Sequence, residues 1–254
     1  MITVGLRTLA RREIVRYFVV FSQTLLPPLV SSTLFLFVFG CSIGSRIEVD
    51  LGGNSYLEFL VPGLVMMHLI ESSYANASSS LFISRWHNHI QELLLSPLSY
   101  AEMVCGYLAG AVSRGLIVGT GVYLISMLFV RTGVAHPMWV LYFALTVTVI
   151  FASAGLLTAL WADGFEKLSF WGTFVLSPLI YFGGVFHSVS MVPDALRPLS
   201  YANPVFYLIS GLRYGLIGGS DVPVGISAGV AGGLAVVLVG IVTSLFRAGW
   251  RIRS

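Results

Sequence analysis

The sequence predicts an all-α polytopic membrane protein with six transmembrane helices, and three observations predict it. The chain is 56% hydrophobic and only 10% charged, with a mean hydropathy of +0.88. A soluble domain carries about 25% charged residues. Apolar runs long enough to cross a hydrocarbon core of roughly 30 Å recur from one end of the chain to the other. Short links rich in Gly, Pro and polar residues separate them. Residues 1–254 show no internal repeat and no low-complexity segment, so one membrane domain is the simplest partition.

The elements follow in order. Residues 1–16 place Arg7, Arg11, Arg12 and Arg16 among Ile2, Val4, Leu6, Leu9 and Ile14, the pattern of an interfacial helix lying apolar side down. The first apolar run is too long to read as a cleaved signal peptide. Span 1 covers Tyr17 to Phe39, and its Pro27-Pro28 pair should kink it or break its hydrogen-bond ladder. A polar loop, GSRIEVDLGGNSY, follows. Span 2 runs from Phe59, with Pro62 in its first turn, to Ile83. Span 3 runs from Met103 to Val130, span 4 from Met138 to Leu160, and span 5 from Leu168 to Val185.

Between Phe186 and Asp221 the pattern changes. Pro193, Pro198 and Pro204 forbid a simple crossing, and two short helices, Val192–Tyr201 and Pro204–Ile217, read as a re-entrant pair. Span 6 runs from Val224 to Phe246. Basic residues set the orientation. Six crossings put Arg7, Arg11, Arg12, Arg16, Arg85, Lys167, Arg247, Arg251 and Arg253 on one side, which becomes the cytoplasmic one with both termini. Arg46, Arg131, Arg197 and Arg213 fall on the other side, and the re-entrant pair faces outward.

One cytoplasmic stretch stands apart. Ser84–Ala101, SRWHNHIQELLLSPLSYA, reads as an amphipathic helix with Trp86, Ile90, Leu93 and Pro97 on one face. Arg85, His87, His89, Gln91 and Glu92 cover the remaining surface. Such a helix lies flat on a bilayer or docks into a groove on another protein. His87 and His89 resemble a metal pair, but two-residue spacing on a helix points them apart, so no metal site is expected.

Within span 2, Glu71 sits midway, with His68, Ser72, Asn76 and Ser79 read as the same helical face. A carboxylate at bilayer centre costs roughly 2.5–3.5 kcal/mol on insertion scales, so it should face protein or water. These residues line either a translocation path, or a seam between two subunits, or an interhelical hydrogen-bond cluster. Arg114, inside span 3, needs a carboxylate, a carbonyl or an aqueous cavity. Gly106–Gly110, Gly115–Gly119 and Gly225–Gly229–Gly233 have the small-xxx-small spacing of close helix contacts, most simply within one subunit.

Several function classes are disfavoured. No G-x-x-x-x-G-K-[ST] occurs and the one lysine is Lys167, so the chain has no phosphate cradle of its own. The +3 net charge gathers mostly at the chain ends and builds no face for nucleic acid; anionic headgroups suit it better. GISAG at Gly225–Gly229 matches G-x-S-x-G, but that motif needs a strand-to-helix elbow and Ser227 opens a membrane helix. Cys41 and Cys105 fall at opposite membrane faces and read as small packing residues rather than a disulfide.

The element order, together with FLVPGLVMM and YANASSS in span 2, QELLLSPLS after it, and SPLIYFGGVF leading to NPVFYLISGLRYGLIG, resembles the membrane subunits of ABC-2-type exporters. It looks closest to the short bacterial permeases grouped with nodulation-factor, capsule and drug exporters. The resemblance covers nearly the whole chain. It implies an inner-membrane permease that forms a homodimer, binds two copies of a separate ATP-binding subunit, and holds no cofactor itself, ATP and Mg residing on the partner. The helix after span 2 becomes the coupling helix, with Arg85, His87, His89, Gln91, Glu92 and Pro97 meeting the ATPase and Trp86, Ile90 and Leu93 anchoring it. The re-entrant pair, with Asn203, Pro204, Tyr207, Arg213 and Tyr214, becomes an outward gate or a rigid plug. The cargo is then a lipid, a lipid-linked glycan or polysaccharide, or a hydrophobic drug. Two other classes stay open: a proton-coupled secondary transporter using Glu71 and His68, and an integral-membrane enzyme using Ser227 or the histidines.

Overall fold

A computed structural model describes residues 4–42, 55–195 and 197–252. The described residues are mostly helical, with no strand among them. Four helical stretches are long and apolar enough to cross a membrane: Phe21–Gly40, Tyr100–Ser126, Pro137–Trp161 and Val224–Ala248. The expected loop after span 1, with Arg46, and the terminal Arg253 lie outside the described residues.

The first run divides into α1 (Val4–Val19), α2 (Phe21–Thr24) and α3 (Leu26–Ser42). The backbone departs from helix at Val20 and Leu25, ahead of the proline pair. The prolines account for the second of these breaks. Pro27 and Pro28 have no N–H to give to the carbonyls of Gln23 and Thr24, so the ladder lapses there and restarts with both prolines in the first turn of α3. The Thr24 carbonyl freed in this way accepts from Arg114 Nη2 at 3.2 Å, which gives the partly buried guanidinium one partner.

Helix α4 (Tyr56–Trp86) is the centre of the bundle and longer at both ends than expected. A capping box starts it: Ser55 accepts from the Glu58 N–H, while the Glu58 carboxylate accepts from the Ser55 N–H at 2.7 Å. This early start moves Pro62 out of the first turn and into the helix interior. Most α4 side chains are buried, against α6 (Tyr100–Ser126) and α7 (Pro137–Trp161). The same capping box recurs at Ser99 and Glu102, which begin α6.

The glycine spacings divide. A Cβ at Gly106 or Gly110 would meet Leu9 or Glu13 of α1, and one at Gly119 would meet Leu69 of α4. Those pairs therefore seat neighbouring helices of the same chain. Gly225, Gly229 and Gly233 on α12 (Val224–Ala248) have nothing within 4 Å. Cys105, read as a packing residue, is exposed.

After α7 the chain forms α8 (Phe165–Phe170), a wider π turn over Trp171–Leu176, and α9 (Ser177–Phe182). The 3₁₀ turn Val189–Met191, α10 (Arg197–Ala202) and α11 (Pro204–Ile217) complete the expected re-entrant region, the first helix of that pair being shorter than drawn. Fourteen residues make α11 about 21 Å long, too short to cross. The segment leaves and returns at one end of the bundle, since Gly184 and Ser188 contact Arg213 and Asp221. The opposite end gathers α5 (Ile90–Leu95), the start of α6, the α7–α8 link and Arg251.

Candidate coupling face and translocation path

At the α5 end the expected amphipathic helix over Ser84–Ala101 is replaced by three pieces. Helix α4 continues to Trp86, a tight turn with Asn88 at φ 61° reverses the chain, and α5 has only six residues. Ser96, Leu98 and the α6 cap fill the rest. Leu93, Leu94 and Leu95 all lie on α5, spread over more than half of its circumference. Ile90 is buried and Leu93 and Leu94 are partly buried in the cluster that holds Phe82 and Met103, leaving Leu95 88% exposed. Sequence reading missed Leu95; the three-leucine run was the signal, because adjacent helical residues sit 100° apart and cannot all face inward.

The same turn corrects the histidine geometry. The His87 and His89 rings stack at 5.8 Å instead of pointing apart, because the residue between them is left-handed rather than helical. Among the described residues no group of three metal-ligating side chains gathers.

Arg85 turns inward. Its Nη1 donates to the carbonyls of Ala159, Leu160 (3.1 Å) and Ala162 (3.3 Å), the orphan acceptors at the C-terminus of α7. Trp86 packs on Phe82 and Phe165 at ring separations of 5.7 and 5.6 Å. Arg251 donates to the Trp161 carbonyl and to Asp163 Oδ1 at 2.7 Å, while Lys167 holds Asp163 Oδ2 at 2.6 Å. The hydrogen bond from Lys167, helped by Arg251, keeps the exposed Asp163 carboxyl below the usual carboxylate range. The α4–α5 turn, the α7–α8 link and the C-terminal turn are thus one joined unit. Its exposed surface carries His87, His89, Gln91, Glu92, Leu95 and Pro97.

Midway along α4 the expected single polar face splits into two rows. His68, Ser72, Asn76 and Ser80 are buried, whereas Glu71, Ala75, Ser79 and Ile83 are more open. Rows offset by one residue lie 100° apart on a helix. Asn76 accepts from Arg16 Nη2 through both its side-chain and backbone oxygens at 3.0 Å, and Ser79 bonds back to the Ala75 carbonyl. The Glu71 side chain is 40% exposed and touches His68 Nδ1 at 3.5 Å.

At the far end Arg213 is enclosed. Its Nη1 meets Asp221 Oδ2 at 2.7 Å, its Nη2 donates to the Gly184 carbonyl at 2.9 Å, and its guanidinium lies 3.8 Å from the Phe59 ring centre. Ser188 donates to the other oxygen of Asp221. Asp221 was not among the residues read from sequence, since nothing local distinguishes it in a polar link. Asn203 caps α11 by accepting from the Val205 N–H and also donates to the Leu179 carbonyl at 2.7 Å, with Pro204 at the first helical position. Tyr207 donates to the Tyr201 carbonyl and Tyr214 stacks on His136 at 4.5 Å. Each named residue of this region is therefore engaged in holding α11 in place. Ser227 lies buried within the first turns of α12, without the strand of a nucleophile elbow.

Comparisons with known proteins agree with this architecture. The chain is 41% identical over 251 residues to the inner membrane transport permease YadH of Escherichia coli K12, covering 99% of this chain and 98% of that protein. It is 26% identical over 244 residues to nodulation protein J of Rhizobium meliloti, covering 93% and 90% respectively. The family model of the ABC-2 type transporters matches residues 4–217, from the first turn of α1 to the last residue of α11, and the chain belongs to that family.

Proposed function

We propose that this chain is the permease subunit of an ATP-driven exporter in the inner membrane, working as a homodimer with two copies of a separate ATP-binding subunit. In this reading α4 and the α8–α9 segment join the four apolar stretches to make six crossings. Both termini and the α5 unit are cytoplasmic, and the region from Gly183 to Pro223 is an outward re-entrant cap. ATP and Mg reside on the partner.

The observation that carries it is the build of the α5 unit. Arg85 and Arg251 tie three separate segments together, yet the surface they support is left open and mixed in character. A force applied there reaches α4, α7 and α12 at once. Glu92→Lys is expected to abolish stimulation of the partner ATPase without reducing membrane insertion, measured on the co-purified complex. Unchanged stimulation removes the coupling assignment. The cargo class is a lipid, a lipid-linked glycan or polysaccharide, or a hydrophobic drug.

A second reading rests on the contact between His68 and Glu71, which is the arrangement of a proton carrier. Glu71→Gln separates the two. Transport that persists with ATP and needs no proton gradient supports the exporter, and proton-driven transport without any ATPase supports the alternative.

A further inference from the structure

We propose that the cleft between α1 and the last two turns of α4 holds the phosphate headgroup of an anionic membrane lipid. The cleft encloses about 410 Å³, within the range of small-ligand sites. Glu13 forms its floor and is fully buried, held by Arg12 Nη2 at 3.0 Å, Arg16 Nε at 3.5 Å and the Ser80 hydroxyl. One carboxylate offsets one guanidinium. No second carboxylate lines the cleft, so one arginine charge is left over, and His89 lies at the mouth. A partly desolvated cation without a counter-charge is costly, and an anion entering the cleft removes that cost. Arg16 is already fixed by Asn76, so a phosphate meets a preset donor, and two guanidinium groups suit its oxygens.

The depth and the walls select a lipid over a free phosphate. The 31 residues of α4 span about 46 Å, overhanging a hydrocarbon core of roughly 30 Å, so its last two turns reach headgroup level. Val15 and Ile83, 47% and 40% exposed, flank the charged floor and open it toward the lipid-facing surface. A cationic floor with an aliphatic flank fits an amphiphile. This inference rests on the membrane placement of the bundle and not on the direction or energy source of transport.

The test is lipid retention. The full chain is placed in nanodiscs of phosphatidylcholine with phosphatidylglycerol, released, and its bound lipid counted by native mass spectrometry. The wild type is expected to keep one phosphatidylglycerol per chain, preferred about tenfold over phosphatidylcholine. Arg12→Gln with His89→Gln is expected to lose that preference while Arg7→Gln with Arg11→Gln, both outside the cleft, keeps it. Ile83→Glu, an exposed site that leaves Glu13 and its partners intact, is expected to lose it by repulsion. No preference in the wild type, equal loss in the Arg7/Arg11 control, or displacement of the lipid by inorganic phosphate each overturns the proposal.

Discussion

Both ends of this bundle are held by arginines, and the two ends use them in opposite ways. At the α11 end Arg213 is 3% exposed and faces Asp221, a backbone carbonyl and an aromatic ring, so its charge is consumed inside the protein. At the α5 end Arg85 and Arg251 are partly open and cap the carbonyl terminus of α7, with Asp163 shared between Arg251 and Lys167. The first arrangement fixes one geometry, because a buried pair that loses a partner leaves a bare charge. The second holds segments together through solvent-accessible contacts that can be traded for others. One end is sealed and the other adjustable, which fits the proposed coupling at the α5 end.

The comparison can be broken at its strongest point first. Asp221→Asn leaves Arg213 buried and unpaired, and a loss of about 3–5 kcal/mol is expected in thermal or denaturant unfolding. Replacing both Arg213 and Asp221 by apolar residues of similar size should restore much of that loss. If Asp221→Asn is silent, the α11 end is not sealed.

At the open end the effect is expected to be smaller. Arg85→Gln removes a charged donor from the α7 carbonyls and should cost about 1.5–3 kcal/mol by the same measurement. Partner ATPase stimulation should fall as well, because the α4–α5 turn loses its tie to α7.

The smallest effect is pH-dependent. The Asp163 carboxyl is held below its ordinary range by Lys167 first and Arg251 second. Its stabilising contribution is therefore complete above the ordinary carboxylate value and disappears as pH falls through the depressed one. Asp163→Asn should therefore be slightly less stable than the wild type at neutral pH, with the difference closing as the pH falls into the acid range. A shared slope for the two proteins would show that Asp163 carries no weight in the joint.

Much of the fold was legible because it depends on local chemistry. Apolar runs marked the helices and Pro27-Pro28 foretold the break in the first run, whereas the capping boxes at Ser55 and Ser99 were not read from the sequence. The site was less legible. A helical reading of Ser84–Ala101 concealed the left-handed residue at Asn88, and with it the stacking of His87 on His89 and the outward turn of Leu95. Two glycine series with one spacing met different fates: Gly106 and Gly110 receive α1, while Gly225, Gly229 and Gly233 receive nothing from this chain.

By itself, then, the sequence determined that the chain is helical, apolar and without a G-x-x-x-x-G-K-[ST] run, because hydropathy and motif spacing act over a few residues. Only the tertiary structure decided that Arg114 answers Thr24, that Arg213 answers Asp221, and that Glu13 is buried among two arginines. Charge partners are chosen by which helices lie side by side, and no local pattern encodes that choice.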